Sequence, residues 1–219
     1  MDVALWTGTG SSQTITNSGG MKPDLVWPKI RSGADGHYPI DTVRGIDKYL
    51  ITNSTAAEAT DAQEVTSINS NGFTLGTSNN ANRSGYTFVG WQWQAGQGTT
   101  SSNTNGSITS TVSVNATAGF SIVTATSPAS GSFTVGHGLG VTPAFIIGKG
   151  RNTVNNWTLY HQSTGASGYL LFTTAAFTSN TDTWNNTAPT SSVFSSTVNW
   201  WGASDNMVFL LLGRNSWIF

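Results

Sequence analysis

Carboxylate pairs are the side chains in this sequence that could perform acid–base chemistry on a substrate. A glycoside hydrolase needs two carboxylates held roughly 5 to 9.5 Å apart in a cleft. Asp35 with Asp41, or Asp61 with Glu64, are the pairs close enough in sequence to be considered. Solvated loop charges are the simpler interpretation, because only two of the ten acidic residues lie in the second half of the chain. We therefore predict no catalytic residues, and a glycan-degrading enzyme is the least favoured function.

The spacing of the histidines and of the glycine-rich stretches does not indicate a metal site or a phosphate-binding loop. The chain has no cysteine, and His37, His137 and His161 do not occur at a metal-ligand spacing. No glycine-rich stretch is followed by the Gly-Lys-Ser/Thr of a phosphate loop, and no Gly-x-Ser-x-Gly nucleophile motif is present. The sequence thus predicts no metal site and no cofactor.

Two pairs of cations recur, Lys29 with Arg31 and Lys149 with Arg151. A spacing of two along a strand places both cations of a pair on the same face. One interpretation is a weak contact to an anionic glycan or to a partner subunit. The simpler one is that the cations pair with loop carboxylates or line an exposed strand face.

These pairs belong to an internal repeat with a period of about 120 residues. The segment 23–31 aligns with 143–151, and the same register places Gly45 on Gly165 and Tyr49 on Tyr169. A stretch rich in Gly, Ser, Thr and Asn separates the two copies and has no large apolar anchor. We predict a first repeat at residues 1–96, a flexible connector at 97–118 and a second repeat at 119–219.

Tryptophans without an aromatic counterpart in the other copy are candidates for contact with a receptor or another subunit. Trp200 and Trp201 align with Asn80-Ala81, and adjacent residues on a strand point to opposite faces. At least one of the two would then be exposed or covered by another chain. The alternative is a larger core in the second copy, which is the interpretation we favour for Trp157 and Trp184.

The last three residues, Trp217, Ile218 and Phe219, are all apolar. Apolar chain ends are commonly docked. We predict that these three side chains bury against a neighbouring subunit or against the other copy.

The composition excludes two classes of partner. Only 9% of the residues are charged, nearly half are Ser, Thr, Asn or Gly, and the net charge is -1. A surface of this kind lacks the positive field that neutralises phosphates, so nucleic acid is not an expected partner. No stretch approaches the roughly 18 consecutive apolar residues of a membrane-spanning helix, and we predict no membrane insertion.

The segments that must position these residues are short and strand-like. Residues 25–27 and 145–147 predict buried strands after a proline, and 207–212 is apolar on both faces, which is typical of a central strand. The stretch 86–93 alternates, with a more apolar face that carries Val89, Trp91 and Trp93. The predicted fold class is all-β, with two tandem antiparallel β-sandwich or jelly-roll-like repeats.

Helical sequence is scarce. Only residues 55–64 contain a run of good helix formers, with Asn53 or Ser54 as a possible N-cap. We predict one short helix or helical turn there.

Several short motifs follow one another in a fixed order along the two copies. They are Trp6–Gly10, Pro23–Trp27, Asp41–Gly45, Asn53–Glu58 and Gly72–Gly76 in the first copy, with Gly136–Gly140 and Trp184–Phe194 in the second. The chain resembles the tail-fibre-like virion structural proteins of tailed, often marine, bacteriophages. That resemblance implies a location in the virion, structural or receptor-contacting work, and no catalytic residues to transfer.

We therefore expect a virion structural protein, such as a tail-fibre, fibre or decoration subunit, that acts through self-assembly. Its expected partners are further copies of itself and other virion proteins, with a host-surface glycan as an additional candidate. The alternative is a carbohydrate- or receptor-binding adhesion module, which needs exposed aromatic side chains over polar groups.

Overall fold

The computed structural model describes residues 1–214, and the regular secondary structure of this part of the chain is almost entirely antiparallel β-strand. The predicted all-β class with antiparallel sheets is confirmed. The chain divides into two compact units, unit 1 over residues 1–98 and unit 2 from residue 99 onward.

Unit 1 contains a larger and a smaller sheet. Its elements are β1 (Asp2–Thr7), β2 (Gln13–Thr16), β3 (Leu25–Ile30), β4 (Ile40–Asp41), β5 (Gly45–Tyr49), β6 (Ala59–Thr60), β7 (Val65–Asn69), β8 (Gly72–Leu75), α1 (Asn79–Asn82) and β9 (Thr87–Trp93). The six-stranded sheet has the order β1-β9-β3-β4-β5-β6, and the three-stranded sheet has the order β2-β8-β7. Each pair of neighbouring strands is antiparallel.

An apolar core lies between the two sheets of unit 1, as in a β-sandwich. Trp6 of β1 stacks on Phe88 of β9 with 5.5 Å between ring centroids, and Phe73 of β8 meets Trp6 edge-on at 5.7 Å. The Trp6 indole also donates a hydrogen bond to the carbonyl of Ala81 at 2.9 Å. Burial of each such ring contributes about 1.5–3 kcal/mol, so Trp6 is a main link between the sheets.

Strand β9 buries the face that its own sequence makes less apolar. The inward residues are Phe88, Gly90 and Gln92, and the half-buried outward residues are Val89, Trp91 and Trp93. A Cβ atom at position 90 would lie 2.8 Å from the Trp6 ring, so Gly90 leaves the space that Trp6 fills. The more apolar face of β9 is therefore turned away from the core of unit 1.

Unit 2 is built around a longer sheet. Its elements are β10 (Ser101–Asn103), β11 (Ser110–Asn115), β12 (Phe120–Thr126), β13 (Ser132–Gly136), β14 (Pro143–Gly150), β15 (Thr158–His161), β16 (Gly168–Leu171), β17 (Thr178–Ser179), β18 (Val193–Thr197), α2 (Val198–Trp201) and β19 (Asn206–Gly213). The eight-stranded sheet has the order β10-β11-β12-β19-β14-β15-β16-β17, and β13 pairs with β18. β19 occupies a central position and is buried from Met207 to Gly213, as its sequence predicts.

Aromatic rings dominate the core of unit 2. Phe209 contacts Phe194 at 4.7 Å and Trp201 at 5.2 Å between ring centroids. Trp184 packs on Phe194 and is 1% exposed, and Trp157 is 3% exposed. The prediction that Trp157 and Trp184 belong to the core is confirmed.

The helix prediction for residues 55–64 is wrong. Within this segment Ala59 and Thr60 form β6, which pairs with β5, and the described helices are the single turns α1 and α2. A ten-residue helix is marginal without an apolar stripe to dock, so pairing with the sheet edge prevails.

The connector prediction for residues 97–118 also needs correction. This stretch contains β10 and β11, and β11 pairs with β12 along six residues. Val112 of β11 is buried in the core of unit 2, which explains why the segment joins the sheet. A sequence rich in Ser, Thr and Asn can form strands when alternate valines supply an apolar face.

The large sheets of the two units share one strand order. Across the sheet, the order β1-β9-β3-β4-β5-β6 in unit 1 corresponds to the order β12-β19-β14-β15-β16-β17 in unit 2, and the corresponding strands follow one another in the same order along the chain. This common order supports the internal repeat, whose finer details stay a prediction. Unit 2 differs by the additional pair β10 and β11, which lies beside β12.

Candidate assembly surface

Asp41, one of the carboxylates considered for acid–base chemistry, takes part in a buried ion cluster. Its carboxylate accepts a hydrogen bond from Arg44 Nε at 2.5 Å, and Arg44 Nη1 donates to Glu58 at 3.0 Å. The carbonyl of Pro39 accepts a third bond from the guanidinium at 2.8 Å. Burial alone would lower the pKa of Arg44, but Asp41 and Glu58 raise it above its ordinary value. This arrangement holds the β4–β5 turn and serves a structural role.

Asp35 likewise has dedicated partners. It accepts hydrogen bonds from the Tyr38 hydroxyl at 2.7 Å and from Arg83 Nη2 at 2.6 Å. Partial burial would raise the pKa of Asp35, yet these bonds and the Arg83 charge hold it below its usual value. The structure gives no support to a catalytic pair of Asp35 with Asp41, because each carboxylate forms an ion pair with a different arginine.

Glu64 is the most unusual carboxylate in unit 1. It is 1% exposed, its Oε2 accepts a bond from Asn80 at 3.4 Å, and its Oε1 has no hydrogen-bond partner among the described residues. Burial raises the pKa of Glu64 to about 8, so the group is mostly protonated at neutral pH. Its predicted partner Asp61 accepts a bond from the Gln63 backbone in a turn. We interpret Glu64 as a neutral structural acid.

His137 is a fully buried neutral side chain in unit 2. Its Nδ1 accepts a bond from the Leu139 amide at 3.2 Å, and its Nε2 lies 3.3 Å from the carbonyl of Thr190. Burial lowers the pKa of His137 to about 4. Within residues 1–214 no three histidines or carboxylates come together as a metal site would require.

Lys149 does not line an exposed strand face, which was one of the interpretations of the recurring cation pairs. This lysine is 0% exposed, and its ammonium donates to three oxygens from Gly150, Thr153 and Asn155. Lys29, its counterpart in unit 1, is half-buried and donates to the Ile30 carbonyl at 2.7 Å. A loop that folds over the end of β14 provides acceptors for Lys149, which two-residue spacing alone does not reveal.

Trp201 is a core residue, so its prediction as a receptor or subunit contact is wrong. It is 2% exposed, and its indole donates to Ser196 at 2.7 Å. Trp200 is half-buried, packs on Tyr169 at 4.5 Å and donates to Thr158. The pair lies on helix α2 and not on a strand, so the expected alternation does not apply. Trp217, Ile218 and Phe219 lie outside the described residues.

Strand β1 carries the surface feature that the sequence predictions missed. Val3 is 41% and Leu5 is 63% exposed, and both lie on the face opposite the core. Across the sheet, Val3 faces the half-buried Trp91 and Leu5 faces Val89. The alternation Val3-Ala4-Leu5-Trp6, apolar on both faces, was the available signal.

The same strand leaves one edge of its sheet open. Gly8 N–H bonds to the Tyr86 carbonyl at 2.8 Å, so residues 2, 4 and 6 pair with β9 while 3, 5 and 7 direct their backbone groups outward. In agreement, Val3 N–H donates to the Asp2 side chain at 2.7 Å, and Gln13 donates to the Thr7 carbonyl at 3.2 Å. The outward N–H and C=O of Leu5 are therefore placed to pair with an added strand.

Other ends of the two large sheets are blunted. β6 and β17 are two residues long, and β10 is three polar residues long. β12, which corresponds to β1, is covered along its length by β11. Short or covered edges are common protections against unwanted pairing. β1 has six residues, no lysine and no proline, so among these edges it is the one suited to pair with another chain.

These features define an all-β protein of antiparallel sheets with one apolar, open edge strand. The chain belongs to the family of the domain of unknown function DUF7483, which matches residues 1–211. Neither a curated protein nor a solved structure matches the chain significantly. Among the described residues, no helix has the length and apolar character needed to cross a membrane.

Proposed function

We propose that this protein is a phage virion structural subunit, of the tail-fibre, fibre or decoration kind, that works by self-assembly. The open edge of β1 carries this proposal, because an unprotected apolar edge strand is uncommon unless it has a partner. Its partners are further copies of the chain and other virion proteins.

Two sequence properties support the same conclusion. The motif order resembles that of tail-fibre-like virion proteins, and the charge-poor surface suits repeated packing of like subunits. In addition, the buried polar groups of both units are largely engaged with neighbouring protein atoms, as in the Arg44 cluster.

The test is the mass of the purified chain in solution, measured by size-exclusion chromatography with light scattering over a concentration series. A discrete homo-oligomer is expected. A monomer at every concentration would contradict self-assembly. Mass spectrometry of purified virions from the source culture tests the location separately, because the chain should then copurify with the particles in stoichiometric amounts.

A carbohydrate-binding adhesion module is the second candidate. Trp91 is half-buried on the outward face of β9, beside the exposed Val3. A tryptophan face flanked by polar side chains can stack on a sugar ring. Binding on a glycan array that is lost in Trp91→Ala, without turnover of the glycan, would favour this function.

A further inference from the structure

A lysine, an asparagine and an aspartate meet at the end of β14 in unit 2. Lys149 Nζ lies 2.7 Å from Asn155 Oδ1, and it also contacts the carbonyls of Gly150 at 2.9 Å and Thr153 at 3.2 Å. Lys149 is 0% and Asp205 is 2% exposed. The amine is therefore held against the half-buried carboxamide of Asn155, and Lys149 and Asp205 are themselves shielded from water.

Gly150 provides the space in which these groups converge. A Cβ atom at this position would lie 2.5 Å from Asn155 Nδ2, 2.6 Å from Thr153 Oγ1 and 2.8 Å from Asp205 Oδ2. Any larger residue would push the three side chains apart. The absence of a side chain at position 150 thus brings the amide nitrogen of Asn155 close to a carboxylate.

A chain of hydrogen bonds joins that nitrogen to Asp205. Asn155 Nδ2 donates to Thr153 Oγ1 at 3.3 Å, and Thr153 Oγ1 donates to Asp205 Oδ2 at 2.7 Å. The second oxygen of Asp205, Oδ1, is buried without a hydrogen-bond partner among the described residues. Asp205 can accordingly accept one proton and pass another through the Thr153 hydroxyl.

We propose that Lys149 and Asn155 join spontaneously in an intramolecular isopeptide bond, with Asp205 as the acid–base group. The Lys149 ammonium first releases a proton to water, and the neutral amine attacks Asn155 Cγ. The new bond from Nζ to Cγ forms, and the bond from Cγ to Nδ2 breaks. Protons pass through Asp205 and Thr153 to Nδ2, so one ammonium and one carboxamide become a secondary amide and an ammonium ion.

The surroundings favour this reaction. Burial lowers the pKa of Lys149 to about 8, which leaves a reactive neutral fraction at neutral pH. Reacting groups held in contact in a closed site gain a large effective concentration. The reaction needs no cofactor and no external reactant, because every atom of the new amide is already in the chain.

Unit 1 provides an internal comparison. The residues about 120 positions before Asn155 and Asp205 are Asp35 and Gly85. Asp35 is occupied by Tyr38 and Arg83, and glycine supplies no acid. Lys29 should therefore remain an unmodified lysine.

The test is the intact mass of the full chain, followed by a tryptic digest under denaturing conditions. The mass should fall below the sequence mass by that of one ammonia molecule. Trypsin should not cut after Lys149, and after it cuts at Arg151 the fragments 84–151 and 152–214 should stay joined. An intact mass equal to the sequence mass would overturn the proposal.

Variants separate this bond from other losses of ammonia. Lys149→Met, Asn155→Ala and Asp205→Asn should each restore the mass calculated for the unlinked variant, whereas the exposed neighbour change Asn156→Ala should leave the bond intact. Asn155→Asp should still form the bond, with loss of water in place of ammonia. Loss of ammonia that persists in Lys149→Met would overturn the proposal.

Discussion

Glu64 shows what a buried ionisable residue does when no ligand or cation meets it. It keeps a proton, because the protein interior penalises the charged form more than the single long bond from Asn80 supports it. Tyr49 nearby responds in the same direction, since burial and the Glu64 charge both raise the pKa of its phenol. Such groups make stability depend on pH without any catalytic role.

Replacement of Glu64 by glutamine should remove one pH dependence. The pKa of Glu64 is raised from 4.5 to about 8 in the folded state, so its contribution is complete below pH 4.5 and is lost as pH rises through 8. Relative to Glu64→Gln, the free energy of unfolding should fall by up to about 1.4 kcal/mol per pH unit in that window. Urea unfolding at several pH values measures it. Asp47→Asn, a change in a partly exposed ion pair with Lys48, is the control. Identical pH profiles for Glu64→Gln and the original chain would refute the predicted role of Glu64.

Truncation of Trp201 should strongly destabilise unit 2. Trp201→Ala removes a buried indole that packs on Phe209 and donates to Ser196, so the free energy of unfolding should drop by about 3–5 kcal/mol. Trp200→Ala, which removes a half-buried indole, should cost less. Chemical denaturation followed by circular dichroism compares the two. Equal losses would show that Trp201 is not the core residue described.

At the scale of elements, the position of a strand in its sheet decides what its sequence can do. β1 and β12 occupy corresponding positions, yet β12 is covered by β11 and β1 is open. In both strands the inward residues join a core. The two strands differ at the edge of the sheet. The outward backbone groups of β12 pair with β11, whereas those of β1 at Leu5 are not paired with a neighbouring strand within residues 1–214.

A charge at the β1 edge should dissociate the oligomer. Leu5→Lys places an ammonium at the outward face of an edge strand, which is a common natural protection against pairing. We expect a monomer by light scattering, with the fold retained. Val154→Lys is the matched control, because Val154 is 76% exposed in a loop of unit 2 and should leave the oligomer unchanged. If Leu5→Lys stays oligomeric, assembly uses another surface.

The fold class could be predicted from the sequence because strand periodicity and turn residues are local signals. The buried face of β9 could not be predicted, because it depends on a distant residue. Gly90 faces the core to make room for the ring of Trp6, which lies more than eighty residues earlier in the chain. The burial of Trp201 could not be predicted for a similar reason. The two adjacent tryptophans lie on a single helical turn, so they do not alternate as they would on a strand. The burial of Lys149 depends on oxygen acceptors from the loop after β14. The two-residue spacing between Lys149 and Arg151 gives no indication of that loop.

At the scale of the whole molecule, the scarcity of charge constrains how subunits recognise one another. With 9% charged residues and a net charge of -1, the proposed oligomer would be held mainly by apolar burial and backbone hydrogen bonds. Electrostatic steering has little to act on. Association should therefore be insensitive to ionic strength.

The oligomer should keep its mass when salt is raised from low concentration to about 1 M, where charge interactions are screened beyond roughly 3 Å. Light scattering across a sodium chloride series measures this directly. Dissociation in high salt would show that ion pairs hold the subunits and would contradict the apolar edge as the contact.

The uneven protection of sheet edges also determines how far pairing can extend. If the proposed oligomer forms through the β1 edge, pairing between two copies occupies β1 of both chains. The short ends at β6, β10 and β17 make the remaining edges of the two large sheets poor templates for a third chain. Under the proposed pairing, growth of the large sheets would therefore stop at a closed pair of chains and would not extend into fibrils.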